Sequence, residues 1–352
     1  MPDNHNKRIL IAPLNWGLGH ATRCIPIINA LIKQNFEPII ASDGDALELL
    51  KKEYPKLKTF ELPSYNITYP KKATHFKLKL LKDAPHLLKT INKEKKTIDA
   101  LVKAEHISGI ISDNRFGASH KHIPSVFITH QLRVLSGSTT WLSSKIHENI
   151  ISKFDECWVP DYTGAKNLSG DLGHIEGYKH SVKYLGPLTR FKKLDIQTKY
   201  DLMVLLSGPE PQRSYIEEKL LKDLKHYKGN VLFIKGKIEA EQKKETRDNM
   251  LVYNFMTSIE LEIAINESDL ILSRAGYTTI MDLEKLDKKA FFIPTPGQFE
   301  QEYLAKKFTE EAVAPSAKQN EFNIKMLANV DDYTGFQSQD YVANYKKLFG
   351  LF

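Results

Sequence analysis

The chain has 352 residues, of which 41% are hydrophobic and 26% are charged, and its formal net charge is +7. The length fits two domains better than a single core, and the composition excludes a disordered protein. The positive charge calls for a check of nucleic-acid binding, but no recognised binding motif accompanies it, so we expect no nucleic-acid partner.

Short apolar strands alternate with helical patterns along the first half of the chain. In chain order, we predict a strand at Arg8–Pro13, a helix at Ala21–Gln34, a strand at Glu37–Ser42, a helix at Ala46–Lys52, and strands at Ile107–Ser112, Pro124–Thr129 and Glu156–Val159. Apolar strands separated by helices indicate a parallel sheet that is covered on both faces.

A second series of the same kind follows residue 199. It contains strands at Asp201–Ser207, Val231–Lys235, Met250–Tyr253, Leu270–Ser273 and Ala290–Ile293, with helices at Tyr215–Leu224 and Thr278–Leu286. We predict an α/β protein with two Rossmann-like, doubly wound parallel-sheet domains that face each other across a cleft. The predicted limits are 1–187 for the first domain, 188–200 for a linker, 201–335 for the second domain, and 336–352 for a tail that is a candidate for packing back on the first domain.

Cysteine usage and hydropathy indicate the compartment. Cys24 and Cys157 are far apart and lack metal-ligand spacing, which favours a reducing compartment and argues against structural zinc. The polar start lacks a signal-peptide core, and no apolar stretch is long enough to cross a bilayer. We therefore expect a cytoplasmic protein.

Lysines are concentrated between Lys71 and Lys96, where they interleave with apolar residues. A basic amphipathic helix of this kind can lie on an anionic membrane surface. It can also be a solvated helix whose apolar stripe faces the core, and we favour this second interpretation. Weak peripheral contact with the inner face of a membrane stays open as the alternative.

The loop after the first predicted strand contains Gly17, Gly19 and His20. The glycines permit positive φ and a close ligand approach, but Thr22 stands where a dinucleotide fingerprint needs its third glycine, which disfavours a dehydrogenase. His20 is placed to take a proton from an attacking hydroxyl, or alternatively to shape the loop. Asp113, at the end of a later strand, is either a second base candidate or the group that orients His20.

A strand end, a tight turn and a helix opening with hydroxyls follow one another at residues 273–282. Arg274 offers a counter-charge to a bound diphosphate, and Asp282 can accept hydrogen bonds from a ribose diol. Backbone and side-chain donors for the phosphates come from Gly276, Thr278 and Thr279. The alternative is an ordinary helix start that one of the two threonines caps.

Residues 273–282, together with residues 290–294 and 298–303, resemble the nucleotide-sugar signature of the MurG-like glycosyltransferases, with a family 28 type of C-terminal domain. At low identity, the resemblance extends over nearly the whole chain and includes the early GxGH loop. It implies the GT-B fold, a glycosyltransferase activity and a nucleotide-sugar as co-substrate.

The resemblance also implies roles for single residues. Asp282 would bind the nucleotide ribose, Met256 would lie against the base, and His130 and Gln131 would lie on the acceptor side. Phosphate contacts would come from Ser207, Gly208, Gly276 and Thr278, and donor-sugar contacts from Gln298 and Gln301. The nucleotide-sugar candidates are completed by Gly17, Gly19, Arg274 and Thr279.

Two patterns invite a metal-site interpretation. An Asp-x-Asp occurs at residues 43–45, but we expect Asp45 to cap a helix that begins at Ala46. His120 and His122 lack a supporting carboxylate or cysteine pattern, so we expect no metal there. The resemblance implies that helix dipoles and basic groups stabilise the departing diphosphate without a metal or another cofactor.

Our working hypothesis is a glycosyltransferase that moves a sugar from a UDP-sugar to an acceptor hydroxyl with inversion. The acceptor, a lipid or a glycan, would dock near His20 and His130. The alternatives are a nucleotide-sugar hydrolase or epimerase on the same fold, and a non-catalytic nucleotide-sugar sensor. The fold by itself does not separate them.

Overall fold

A computed structural model describes residues 6–65, 76–208, 210–237 and 239–352. The described chain divides into two units. The first comprises residues 6–65, Lys77–Thr189 and Tyr341–Phe352, and the second comprises Arg190–Asp340. These divisions lie close to the predicted limits at 187 and 335. The predicted linker is packed rather than extended, since the Leu194 N–H donates to Asn266 Oδ1 over 2.9 Å.

The first unit is built on a seven-stranded parallel sheet with the order β3-β2-β1-β4-β5-β6-β7. The strands are β1 (Arg8–Pro13), β2 (Glu37–Ser42), β3 (Thr59–Glu61), β4 (Ile107–Asp113), β5 (Ser125–Ile128), β6 (Glu156–Val159) and β7 (Val182–Tyr184). The helices are α1 (Gly19–Lys33), α2 (Gly44–Glu53), α3 (Phe76–Glu105), α4 (Thr140–Ile151) and α9 (Tyr345–Phe349). The strand order reverses between β1 and β4, which makes the carboxyl ends of these two strands the place where a ligand is expected.

The second unit carries a six-stranded sheet with the order β10-β11-β9-β8-β12-β13. Its strands are β8 (Tyr200–Leu205), β9 (Val231–Ile234), β10 (Lys244–Arg247), β11 (Met250–Tyr253), β12 (Ser268–Ser273) and β13 (Lys289–Phe292), and its helices are α5 (Gln212–Asp223), α6 (Ser258–Asn266), α7 (Tyr277–Lys285) and α8 (Phe299–Glu310). All pairs are parallel except β10 with β11, a hairpin at one edge. Here the order reverses between β8 and β12. The prediction of two doubly wound α/β units is confirmed.

The start of α2 differs from the prediction. The helix begins at Gly44, Asp43 is the residue before it, and Asp45 lies in the first turn rather than at the cap. Gly44 has a φ of +51°, which lets the chain turn into the helix earlier than expected. The Ala46 N–H donates to Asn15 Oδ1 over 3.3 Å, so a residue of the loop after β1 satisfies this helix start. The predicted capping role of Asp45 is therefore wrong.

The end of the chain returns to the first unit. Phe349 packs edge-on against Phe36 with ring centroids 5.8 Å apart, and it also contacts Trp158. The Phe352 ring occupies the space beside Gly109, where an added Cβ would lie only 2.3 Å from it. The tail thus covers the face of the sheet that a glycine leaves open.

The lysine-rich segment forms part of α3, although Lys71 and Lys72 and the side chains of residues 76–84 lie outside the described residues. From residue 85 onward, a stripe of the helix is buried at Thr90, Glu94 and Ile98. Lysines 89, 93 and 96 lie on the exposed face. This distribution is that of a solvated helix with one face on the core. Within the described ranges, no helix has the length and apolar character that a membrane crossing needs.

Candidate functional site

The first candidate site lies where β1 and β4 end side by side. Gly17 makes the turn out of β1 with a φ of +73° and open space around its Cα, so its predicted conformation is confirmed. Gly19 differs, since it begins α1 as an ordinary helical residue. Leu18 precedes the helix and no side chain caps it. The first turn of α1 therefore presents its N–H groups at the carboxyl edge of the sheet.

The two residues proposed for proton transfer lie together at this edge. Asp113 is the last residue of β4 and pairs in register with Pro13, the last residue of β1. This register places His20, in the first turn of α1, with its Nδ1 atom 2.8 Å from Asp113 Oδ1. The Asp113 side chain is fully buried, while the His20 side chain keeps 12% of its surface exposed. His20 is thus supported from behind and open on one side.

Arg23 is the member of this site that the sequence reasoning missed. Its Nε donates to Asp113 Oδ2 over 2.5 Å, and its Nη2 donates to the other oxygen of the same carboxylate. Nη2 also lies 2.8 Å from His20 Nδ1, and Nη1 lies 3.3 Å from His130 Nδ1. The available signal was its position three residues after His20, which puts both side chains on one face of α1.

Burial and charge set the protonation of this cluster. Burial lowers the pKa of His20, and the adjacent Arg23 guanidinium lowers it further, against the opposing influence of Asp113. Burial by itself would raise the pKa of Asp113, but the charges of Arg23 and His20 and their hydrogen bonds lower it to about 2. At neutral pH, an ionised carboxylate therefore faces a neutral imidazole, which is the form a general base needs.

The predicted acceptor-side residues follow β5 at the same edge. His130 is buried against Arg23, and Gln131 Nε2 lies 3.5 Å from His130 Nε2. The next residue, Leu132, begins the lining of an open groove of about 490 Å³. The groove is mostly apolar, and its lining includes Arg133, Leu135, Trp141, Lys145, Glu148, Ile175, Tyr178 and Lys179, with Lys145 paired to Glu148 over 2.8 Å. The side chain of Trp141, on α4, is 78% exposed.

The second candidate site lies where β8 and β12 end. Gly208, in the exposed loop after β8, has a φ of +108° that favours glycine. Gly276 precedes α7 as its N-cap, and no side chain caps this helix, so the alternative in which a threonine caps it is wrong. Thr278, Thr279 and Asp282 lie half-buried on the first turns of α7. The N–H groups at a helix start beside a glycine loop are generally suited to a phosphate.

Arg274 was expected to face the ligand as a counter-charge, but its side chain is buried and has protein partners. It is buried beneath the loops, where its guanidinium donates to three backbone carbonyls, those of Gln212, Ile293 and Pro294. It also donates to Gln319 Oε1 over 2.7 Å. Burial lowers its pKa to about 10, so it stays charged at neutral pH. Arg274 therefore ties together the segments around the end of β12 and leaves a positive charge below them.

Comparison with known sequences gives the family of the second unit. Residues 213–347 match the family model described as glycosyltransferase family 28 C-terminal domain. A UDP-N-acetylglucosamine--N-acetylmuramyl-(pentapeptide) pyrophosphoryl-undecaprenol N-acetylglucosamine transferase from Clostridium tetani is 24% identical over 357 residues, which cover 97% of this chain and 93% of that protein. The protein of the same name from Haemophilus ducreyi is 23% identical over 210 residues, or 58% of this chain and 56% of its own length.

Solved structures agree with this assignment. The glycotransferase of kitacinnamycin has a TM-score of 0.62 at 12% identity and covers 98% of this chain and 94% of its own. MurG of Acinetobacter baumannii has a TM-score of 0.55 at 13% identity, and the match covers 92% of this chain and 89% of that protein. At such identity the likeness establishes the fold, which is GT-B. The chain is a GT-B glycosyltransferase with a family 28 C-terminal domain.

The remaining donor-side candidates of the glycosyltransferase lie in the loop after β11 and at the start of α8. Met256 lies half-buried after β11, and Gln298 is the residue that precedes α8. Gln301 is buried, and its Oε1 accepts a hydrogen bond from the Thr295 N–H over 2.8 Å. Gln301 thereby braces the loop after β13. The assignment of both glutamines to a donor sugar stays a prediction.

The acidic and histidine patterns weighed as metal sites have other partners. Asp43 accepts from Arg115 Nη1 over 2.6 Å, and the His120 Nε2 atom lies 3.8 Å from Asp99. Across residues 6–65 and the later described ranges, no group of three or more His, Cys, Asp or Glu side chains is arranged to hold a metal ion.

Proposed function

We propose that the glycosyltransferase moves a sugar from a UDP-sugar to an acceptor hydroxyl, with inversion and without a metal ion. The observation that carries the proposal is the His20–Asp113 pair, in which a buried carboxylate lies 2.8 Å from the imidazole of a partly exposed histidine. An imidazole oriented by a carboxylate is suited to removing a proton from a hydroxyl.

The reaction step follows from this pair. His20 Nε2 accepts the proton of the acceptor hydroxyl while the oxygen forms a bond to the anomeric carbon of the donor. The bond between that carbon and the diphosphate oxygen breaks, and its electron pair leaves with the nucleoside diphosphate. Attack opposite the leaving group inverts the anomeric configuration. Asp113 stabilises the imidazolium that forms on His20.

The second unit supplies the features that a leaving diphosphate needs. The start of α7, with Gly276 as its N-cap, provides the positive end of a helix dipole, and Gly208 lets a phosphate approach the backbone. Arg274 adds a full positive charge from below, with carbonyl partners rather than a carboxylate. Asp282, half-buried on α7, is our candidate for the ribose diol. The choice of UDP is supported by the names of the relatives from C. tetani and H. ducreyi.

The groove beside His130 supports an acceptor with an apolar part. Its lining combines Leu132, Trp141 and Ile175 with three basic side chains and the carboxylate of Glu148, and it starts two residues from His130. A lipid-linked acceptor that carries phosphate matches both the apolar wall and the excess of basic side chains in the lining. The names of the relatives, which include pyrophosphoryl-undecaprenol, support the same class of acceptor. Such an acceptor would place the reaction at the cytoplasmic face of a membrane.

Calorimetry with UDP, GDP and dTDP tests the donor assignment. We expect UDP to bind, and we expect Asp282→Ala to weaken binding by about tenfold or more, because a carboxylate that accepts hydrogen bonds contributes about 1.5–3 kcal/mol. Asp269→Ala is the matched control, since Asp269 is an exposed carboxylate near the start of β12. Equal affinities of both variants for UDP would remove Asp282 from the site.

Product analysis separates transfer from the alternatives. Release of free sugar from the donor without an acceptor would identify a hydrolase, and an altered sugar would identify an epimerase. Tight UDP-sugar binding without turnover, unaffected by His20→Ala, would identify a sensor.

A further inference from the structure

The contact between Arg23 and the His20–Asp113 pair has a consequence for the proton that His20 carries. Three atoms meet at one point, because His20 Nδ1 lies 2.8 Å from both Asp113 Oδ1 and Arg23 Nη2. Nδ1 can donate to the carboxylate, which leaves Nε2 with a lone pair. It can instead accept from the guanidinium, which puts the proton on Nε2. Only the first form can act as a base through Nε2.

The charges of the cluster favour the first form. Asp113 is fully buried and needs one positive partner in a medium of low dielectric constant. Arg23 provides it through two parallel hydrogen bonds to the two carboxylate oxygens, an arrangement that fixes the geometry of both side chains. With that charge already balanced, a proton added to His20 would leave the buried cluster with a net positive charge. The ionised oxygen remains the strongest acceptor in reach of the Nδ1–H group.

Without Arg23, the same carboxylate would draw its positive partner from the histidine. His20 would then take a proton at neutral pH and form an imidazolium–carboxylate pair, as a carboxylate neighbour generally promotes. A protonated His20 cannot accept the proton of a hydroxyl. Arg23 thus occupies the electrostatic position that a proton on His20 would otherwise fill.

We propose that Arg23 is a positioning residue that keeps His20 neutral with its proton on Nδ1, so that Nε2 is the proton acceptor. The proposal rests on the proposed function only in naming His20 as the base. The other titratable groups of the cluster are Asp113 from β4, His130 from the loop after β5, whose Nδ1 lies 3.3 Å from Arg23 Nη1, and Cys24, whose Sγ lies 3.8 Å from Asp113 Oδ2. Asp113 is ionised at neutral pH.

Nitrogen NMR of the ligand-free protein tests the proposal directly. With histidines labelled with ¹⁵N, the signal of His20 among the 12 histidines is assigned by its loss in His20→Asn. We expect the wild-type chain at pH 7.5 to show a neutral ring with the proton on Nδ1. In Arg23→Met, which removes the charge but keeps an unbranched side chain, we expect the proton affinity of His20 to rise at least about tenfold, because one charge in contact accounts for about that much.

Two further variants separate charge from folding. Arg23→Lys keeps the charge and should leave the proton affinity of His20 within about threefold of wild type. Asp113→Asn, added to Arg23→Met, should return that affinity to a low value, since no carboxylate is left to attract a proton. Arg213→Met is the matched control, because Arg213 is a buried arginine of the second unit that pairs with Glu217 and has no contact with His20 in the described chain.

Activity adds an independent reading. If the transfer reaction is detected, Arg23→Met should shift the acidic limb of the pH–rate profile to higher pH, by as many pH units as the NMR titration of His20 shifts. The rate should recover in alkaline solution. The proposal is overturned if wild-type His20 carries its proton on Nε2, or if a folded Arg23→Met titrates like wild type. If Arg23→Met does not fold, the proposal is tested by the tautomer of His20 in the wild type and by the proton affinity of His20 in Arg23→Lys. Absence of transfer would count against the proposed function alone, because the NMR result needs no substrate.

Discussion

Each sheet edge contains a buried arginine, but the two arginines differ in whether a carboxylate balances their charge. At the end of β4, Arg23 pairs with the carboxylate of Asp113, so its charge is balanced within the protein. At the end of β12, Arg274 donates to carbonyls and to one amide, and none of its partners in the described part of the chain is a carboxylate. A balanced cluster holds a base neutral and oriented, whereas an unbalanced cation beneath a helix start attracts an anion. The difference supports the proposed division of roles, with proton transfer in the first unit and diphosphate binding in the second.

Replacing His20 should have the largest effect, and it should lower the rate of transfer without changing the affinity for UDP. We expect His20→Ala to reduce the rate of transfer by about 100- to 10,000-fold, which is the usual contribution of a general base. Steady-state kinetics with a UDP-sugar and a lipid phosphate acceptor measures this. UDP affinity should stay within about twofold of wild type, because His20 lies in the first unit.

The matched control for this variant is His122→Ala, since His122 is an exposed histidine of the same unit. We expect its kinetics to be those of the wild type. A His20→Ala variant that retained full activity would move proton transfer to another group and would separate the first site from the chemistry altogether.

How far the sequence predicts these two sites depends on the distance between partners along the chain. The glycine loop, His20 and Asp113 could be placed at one edge, because strands of a parallel sheet end together and the β-branched runs mark those strands. Arg23 could not, since a charged residue on a helix is normally solvated and its burial depends on Asp113, which lies 90 positions away. The start of α2 was misplaced for the same reason, because Asn15 supplies the hydrogen bond that Asp45 was expected to make.

Arg274 is a second residue whose orientation could not be predicted from the local sequence. Its motif was recognised and its charge was correctly connected with the end of a strand, but its orientation depends on Gln212 and Gln319, which are 62 and 45 positions away. Local patterns thus indicate which loops matter. Whether a charged side chain faces the ligand or the protein is determined by tertiary partners that no local pattern contains.

Replacing Arg274 should have the second-largest effect, on both folding and anion binding. Arg274→Met leaves buried carbonyls without donors, and we expect it to lower the free energy of unfolding by about 3 kcal/mol. It should also weaken UDP binding, because the positive charge under the loops is lost. Urea denaturation and calorimetry measure the two quantities.

Arg213→Met sharpens this prediction. Arg213 is buried in the same unit, but Glu217 accepts from its Nη1 over 2.7 Å and Glu210 accepts from its Nη2, so its charge is balanced. We expect a similar loss of stability, since breaking a buried ion pair is costly, without the loss of UDP affinity beyond what unfolding explains. If the two variants weaken UDP binding equally, charge balance is not what distinguishes the two arginines.

The smallest effect concerns stability, which should depend on pH in the first unit and not in the second. His147, on α4, is buried against Phe116 and Phe127, and burial lowers its pKa from 6.5 to about 4. The unfolded chain therefore binds a proton between pH 6.5 and 4 that the folded chain does not. The free energy of unfolding is unaffected by this group above pH 6.5 and falls as the pH drops from 6.5 to 4, by about 2–3 kcal/mol in total.

His147→Phe keeps the ring contacts and cannot be protonated, so it should flatten this dependence, apart from the contribution of His20, whose pKa is lowered as well. Asp113 does not interfere, because a carboxyl whose pKa falls from 3.8 to about 2 changes stability only below pH 4. Hydrogen exchange corrected for intrinsic rates should show protection lost in β5 and kept in β12, since the described residues of the second unit include a single histidine, His226. Equal loss in both strands would mean that the two units unfold as one, and that the contrast between them is confined to their ligand sites.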